Sequence, residues 1–278
     1  TSANIGPGFD CFGLALQIFN TFEVAEAKET KLFGVEERFN TTDNLFLQAY
    51  RLGCQQINKD TPIHATFHTN VPVSRGLGSS ATLIVSGLMA ASAIHENALS
   101  KEMIFQLASQ MEGHPDNVAP CIYGGLTASM KNGDTFFTYP LTLDEEWKFT
   151  VFVPDFEVST EKARSILPNT YARSIAAANA AHASLTLEAL RTGNLDLLRI
   201  AARDQIHEPY RKTLIHEFDA LKKIVSPYGI LLISGSGSTC ILISKEEIST
   251  ITKNEIASLQ HNWQIIPTTI CSKGAQYI

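Results

Sequence analysis

The chain has 278 residues, 44% of them hydrophobic and 18% charged, enough for a sizeable core in one large domain or two ordinary ones. A formal net charge of −6, with Lys and Arg scattered and no basic run, argues against a nucleic-acid partner. Cys11, Cys54, Cys121, Cys240 and Cys271 form no CxxC pair, which suggests neither a zinc site nor a disulfide framework and fits reduced thiols in a cytoplasmic protein. The most apolar stretch, 81–94, is interrupted by Ser86, Gly87 and Ser92 and is too short to span a bilayer, so it reads as a buried helix. No signal peptide is read; since the chain begins at Thr1 rather than Met, a short native N-terminus and a first strand are expected ahead of it.

Residues 1–10 are rich in turn formers and are predicted to be a loop. A strand is expected over 21–27. Asp43 is placed as the N-cap of a helix to about Ile57, with Leu45, Ala49, Leu52 and Gln56 at helical spacing. Residues 63–69 alternate as a strand and lead into Pro72-Val73-Ser74-Arg75-Gly76-Leu77-Gly78-Ser79-Ser80-Ala81-Thr82, after which a helix runs over 80–94. Strand, glycine-serine loop and helix start together make an anion site: glycine allows φ > 0 and close approach, and a helix N-terminus offers unpaired N–H groups and a positive dipole end. Many such loops are mere connections. This one is neither a Walker A loop, lacking Gly-Lys-Ser/Thr, nor a dinucleotide fingerprint.

Ser100 is expected to cap a helix stopped by Gly113. The polar run Glu112-Gly113-His114-Pro115-Asp116-Asn117 at its exit fits a site or a solvated loop equally. Residues 127–131 and 134–139 read as a hairpin joined by an Asn132-Gly133 type I′ turn. A domain boundary is placed in the polar stretch 140–146, dividing the chain into 1–145 and 146–278. The second half reads as a strand at 148–153, a helix start at 159–164, helices over 174–191 and 195–207 with 208–211 closing the second, and a helix over 214–225. Strands at 229–233 and 239–244 flank Ser234-Gly235-Ser236-Gly237-Ser238, and a last helix precedes a strand from Trp263. Helix–strand–strand–helix–strand suggests a ferredoxin-like layer, and the whole an α+β protein.

Three stretches in order resemble the GHMP kinase family: Asn4 to Asp10 with its Gly-Pro-Gly, the Pro72 to Thr82 loop, which is similar to Pro-x-x-x-Gly-Leu-Gly-Ser-Ser-Ala, and Ser234 to Thr239. The likeness is strongest to the homoserine-kinase branch, through residues 1–11, His114-Pro115-Asp116-Asn117-Val118-Ala119-Pro120, Ser159-Thr160 with Arg164, and Glu208-Pro209-Tyr210-Arg211. The resemblance implies a two-domain fold, S5-like and ferredoxin-like, usually as a homodimer. It also implies ATP-dependent phosphorylation of L-homoserine to O-phospho-L-homoserine, a step toward threonine.

The resemblance puts the triphosphate on the 72–82 loop, Mg²⁺ on Ser80 and Glu112 (Ser79 being the alternative hydroxyl), and Asn44 on the adenosine side. One carboxylate and one hydroxyl suit an ion that keeps several waters and bridges phosphates. Arg164 and Arg211, which unaided would read as surface charges, become a clamp for the substrate carboxylate. Asp10 would meet the ammonium with Asn4 nearby, His114 the hydroxyl or ammonium, and Thr160 and Gly235 would complete the substrate side. A structural or solvated histidine and a capping threonine explain His114 and Thr160 as well. Relatives with other substrates have an aspartate where this chain has Asn117, paired with a lysine that 1–10 lacks. Phosphoryl transfer through a loose transition state rests mainly on positioning and charge neutralisation, so Asn117 is read as orienting the hydroxyl with no dedicated base. Two departures from the family pattern are the short 112–117 segment and Gly-Ser-Gly-Ser-Thr in the C-terminal loop. The alternatives are a mevalonate- or phosphomevalonate-type kinase and a non-catalytic ligand sensor.

Overall fold

Strand pairing begins at the second residue. In the computed structural model, which describes residues 1–278, β1 (Ser2–Ala3) pairs antiparallel with β2 (Phe12–Leu14), so residues 1–10 are not loop throughout. The connection turns through Asn4, Ile5, Gly6 and Asp10, all at positive φ. β3 (Asn20–Glu26) and β4 (Lys31–Phe33) follow. α1 (Leu45–Gln56) is capped by Asn44, whose Oδ1 accepts from Phe46 N at 2.9 Å, and not by the predicted Asp43. Asn and Asp are equally good caps, so the pair could not be told apart without the turn geometry.

β5 (Ile63–Thr69) lies between β3, antiparallel, and β4, parallel. α2 (Ser79–Ile94) is apolar on most sides and packs between two clusters of core side chains. α3 (Lys101–Glu112) has Ser100 accepting from Met103 N and ends on Gly113 at φ 87, as its residues predict. The polar turn then enters α4 (Val118–Tyr123), a short helix not anticipated from the sequence. β6 (Leu126–Asn132) and β7 (Thr135–Leu141) form the expected hairpin, but Asn132 pairs with Thr135, so Gly133-Asp134 is the turn. Positive φ falls only on Gly133, the first central residue; this matches type II′ and overturns the Asn-Gly type I′ expectation.

The second half runs β8 (Lys148–Pro154), α5 (Thr160–Ser165), α6 (Arg173–Thr192), α7 (Leu195–Ala201), α8 (Glu208–Arg211), α9 (Phe218–Val225), β9 (Gly229–Ile233), β10 (Cys240–Ser244), α10 (Thr250–Ala257) and β11 (Trp263–Thr268). Its antiparallel sheet has the order β11-β8-β10-β9, the ferredoxin-like arrangement. Two helices are shorter than predicted. α7 stops at Ala201 because Asp204 Oδ2 accepts from the backbone N–H of Ile206, His207 and Glu208 at 3.1, 2.6 and 2.7 Å. That side chain offers the backbone an alternative to continued helix, and α8 stands alone. α9 starts at Phe218 after Glu217 at φ 60. Side chains from both halves, among them Leu14, Leu77, Leu126, Val151, Leu232 and Ile241, share one core cluster. No helix is long and apolar enough to cross a membrane.

Candidate active site

A single cavity of about 380 Å³ opens where the β1–β2 loop, the start of α2, the α3–α4 turn, α5 and α8 meet. One end is built from backbone. Gly78 caps α2 at φ 67 without a side-chain bond, and no acidic residue sits in the first turn. The first intrahelical bond is Thr82 N to Gly78 O, so the amides of Ser79, Ser80 and Ala81 carry no backbone partner. Open N–H groups at the positive end of a 16-residue helix are a site for anionic oxygens.

The two glycines answer to the protein's own packing as much as to a ligand. A Cβ on Gly76 would lie 2.2 Å from Ser234 O, and one on Gly78 would lie 2.0 Å from Thr1 Oγ1 and 2.7 Å from Asn117 Oδ1. The second small-residue loop buttresses the first: Ser234 Oγ donates to Gly76 O at 2.8 Å, and Thr239 N donates to Arg75 O. Val73, Ser74, Arg75, Gly76, Gly78, Ser79 and Ser80 line the cavity. Arg75 also ties the loop to the second half, through Pro154 O and an ion pair with Glu157. The other four loop residues lie off the cavity wall. Leu77 and Ala81 are buried in core clusters, and Thr82 Oγ1 bonds Ser79 O and Asn20 Nδ2. Pro72 is also outside the lining.

Ser80 Oγ donates to Glu112 Oε2, bringing together the hydroxyl and carboxylate predicted for a cation. Burial raises the Glu112 pKa, with the Ser80 bond pulling the other way. Two hard oxygens side by side on a half-buried wall are a donor set that fits Mg²⁺. Asn117 Oδ1 accepts from Thr1 Oγ1 at 2.7 Å, leaving its amide nitrogen without a protein partner. On the other flank, Asn44 lines the cavity and its Nδ2 holds Phe39 O at 2.9 Å. Val35, Glu36, Arg38, Phe39, Phe67 and Thr69 also line this flank and went unseen in the sequence. The one usable hint was Phe39, the lone aromatic in the otherwise polar run 36–44.

The opposite end is built from charged side chains. Arg164 on α5 meets Asp10 in a bidentate pair, Nη2–Oδ1 2.7 Å and Nη1–Oδ2 3.0 Å, and those bonds raise its pKa. Arg211 on α8 is buried, donating from Nε to Ala163 O and from Nη1 to Gly235 O, both at 3.1 Å, with Nη2 unpartnered. Desolvation first and the Arg164 charge second lower its pKa to about 10. Both guanidinium groups face the Phe9 ring. His114 Nδ1 donates to Asp116 at 2.6 Å. Burial opposes a charged His114, but Asp116 and Glu112 outweigh it and raise its pKa, favouring the donor form. Thr160 Oγ1 lies 3.3 Å from Ser236 Oγ, while Ser159, not Thr160, caps α5. Asn4 lines the cavity with both ends of its amide engaged, Nδ2 on Gly235 O at 2.7 Å and Oδ1 on Asp10 N at 3.0 Å.

Three residues to which the sequence reading gave no role organise this end. His207 Nε2 donates to Gly6 O at 2.9 Å, Glu208 Oε1 accepts from Ile233 N at 2.9 Å, and Asp204 caps their turn. The four-residue α8 thereby ties the Asp10 loop, the 234–239 loop and α5 to one point. Burial pushes Glu208 up to about 7.

The chain matches the GHMP kinases N terminal domain over residues 44–125 and the GHMP kinases C terminal domain over 186–256. A homoserine kinase of Clostridium botulinum is 37% identical over 273 residues, covering 95% of this chain and 92% of that protein. A homoserine kinase of Synechocystis sp. is 41% identical over 257 residues, covering 88% and 84%. The crystal structure of homoserine kinase from Cytophaga hutchinsonii superposes with a TM-score of 0.89 at 25% identity, covering 98% and 93%. With two domain matches in order and relatives this similar over nearly the full length, the chain belongs to the GHMP kinase family, among the homoserine kinases.

Proposed function

We propose that the chain transfers the terminal phosphoryl group of ATP to the hydroxyl of L-homoserine, giving O-phospho-L-homoserine and ADP, a step toward threonine. The observation that carries this reading is one cavity with open helix amides at one end and two arginines with a carboxylate at the other. Those charges complement an amino acid, and the homoserine kinase relatives support the choice of which.

In this reading the first turn of α2 holds the triphosphate, with Asn44 on the nucleoside side. Ser80 and Glu112 would hold Mg²⁺, which when bound supplies positive charge to the phosphate oxygens. Arg164 and Arg211 take the α-carboxylate and Asp10 the ammonium. Asn4, Thr160 and Gly235 shape the wall around them. His114, in its donor form, serves the hydroxyl side rather than the ammonium. Asn117 cannot accept a proton; its free amide nitrogen orients the hydroxyl oxygen toward phosphorus. As the new O–P bond forms, the bond to ADP breaks and the hydroxyl proton passes to the transferred phosphoryl group. Positioning and neutralised charge carry the step.

Residues 1–145 act as the nucleotide domain and 146–278 as its partner domain, in a cytoplasmic homodimer whose mass sedimentation would report. A coupled ADP-release assay with MgATP tests the activity against homoserine, mevalonate, galactose and shikimate. Turnover of homoserine alone is expected, and turnover of mevalonate alone, or of none, defeats the reading. Asn117→Asp is expected to lower activity; higher activity with a new acidic limb would show that a base was wanted after all.

A further inference from the structure

The Asp10–Arg164 pair occupies the place where the proposed ligand's charges belong. Arg164 presents its fork to the cavity, and both positions of the fork are filled by the protein's own carboxylate. The two side chains are 35% and 37% exposed, so the pair borders the cavity rather than lying in the core. Beside it, Arg211 has two of its donors committed to the Ala163 and Gly235 carbonyls and one nitrogen open. An incoming carboxylate therefore meets one guanidinium with an open nitrogen and another whose end-on fork is already held by Asp10.

We propose that Asp10 is a built-in competitor for the carboxylate position and that the Asp10–Arg164 pair selects zwitterions. A ligand bringing only a carboxylate would take Arg164 and strand Asp10. Asp116 and His114 offer ligand atoms within 4.8 Å of Asp10, and Asp116 would then stand as a like charge beside it. A ligand bringing only an ammonium would strand Arg164 next to Arg211, again a like charge. Only a ligand with both charges replaces the pair by two new ones, so an α-amino acid enters where a hydroxy acid or an amino alcohol is resisted. The pair is thus a specificity determinant set before any ligand arrives, and the inference rests on the proposed amino-acid substrate.

The decisive probe is γ-hydroxybutyrate, which is homoserine without its amino group. If Asp10 only binds ammonium, removing its charge relieves no more than a through-space repulsion of this anion, which added salt screens out. If Asp10 competes for Arg164, removing its charge frees the fork and tightens binding. Asp10 sits at φ 54, a conformation that Asn and Gly adopt readily, so Asp10→Asn and Asp10→Gly keep the loop. Titration calorimetry should show both variants binding γ-hydroxybutyrate about fivefold tighter than the wild type, the scale of a partly exposed ion pair, while homoserine binds more weakly. Unchanged or weaker γ-hydroxybutyrate binding in both variants overturns the proposal. Turnover of homoserine by the wild type is read separately, so a failed activity and a failed selection device are told apart.

Discussion

The two ends of the cavity solve the same problem, holding an anion, by different means. The phosphate end uses main-chain amides from one continuous strand–loop–helix segment, with Glu112 and the Glu157-paired Arg75 as the charged side chains beside them. The amino-acid end uses side chains from four separate segments, Asp10, His114, Arg164 and Arg211, and most of them are partly or fully buried. Backbone amides cannot be titrated and need no rotamer to be held, so the first end tolerates little change in shape but much in charge. The second end concentrates ionisable groups in a half-dry space, where each must be held by a neighbour.

The contrast breaks most visibly at Gly78. Gly78→Ala would place a methyl 2.0 Å from Thr1 Oγ1 at φ 67. A loss of about 3 kcal/mol or more in stability and a collapse of turnover are expected, read by thermal unfolding and ADP release. A well-folded, active Gly78→Ala would mean that the loop has slack.

Glu208 tests the opposite end. Its folded pKa of about 7 lies above the ordinary 4.5, so the group favours folding below about pH 4.5 and loses that contribution as pH rises through 7. Glu208→Gln keeps an acceptor for Ile233 N and removes the buried charge. Denaturant melts should show the variant gaining on the wild type by up to about 3 kcal/mol between acid and mildly alkaline pH. A variant that falls behind as pH rises would argue that the carboxylate is stabilising when charged.

Arg211→Lys replaces a fork by a point charge and gives up the bonds to Ala163 O and Gly235 O. About a thirtyfold loss in kcat/KM for homoserine is expected with the KM for ATP nearly unchanged. Equal damage to both substrates would erase the distinction between the ends. The smallest effect is expected at His207, which touches neither ligand. His207→Asn should raise the KM for homoserine about fivefold, without moving kcat, by loosening the bond to Gly6 O.

The same contrast decides what could be read from the sequence. The phosphate end lies within twenty consecutive residues, and its strand, its glycines and its helix start carry local signals. Ser100 likewise shows as a cap because capping is local, whereas at α5 the cap is Ser159 and not Thr160. Local signals still misled where two candidates adjoined, as at Asp43 and Asn44, and at the Gly133-Asp134 turn, whose register strand pairing decides. Asp204, two to four residues ahead of the amides it holds, was a readable stop that helical periodicity masked. The amino-acid end is different in kind. Asp10 and Arg164 are 154 residues apart, and His207 and Gly6 are 201 apart. Nothing in the spacing joins them, and only the family resemblance brought the arginines and Asp10 into view. Glu208 entered it merely as a neighbour of Arg211, and His207 only as the expected end of a helix.

The tie between the β1–β2 loop and Gly235 has a consequence for how the protein is made. Gly235 N bonds Ala3 O, and Asn4 Nδ2 bonds Gly235 O across 231 residues. Closing so long a loop costs roughly 3 kcal/mol more chain entropy than closing a ten-residue hairpin. The opening residues must therefore wait, unpaired with that loop, until β9 and the turn after it exist. A growing chain can acquire its phosphate-binding helix early, yet it has no place for an amino acid until most of its length has been synthesised. Synthesis thus supplies the phosphate-binding helix first, while the loop before it and the end that chooses the substrate both wait for residues 234–239.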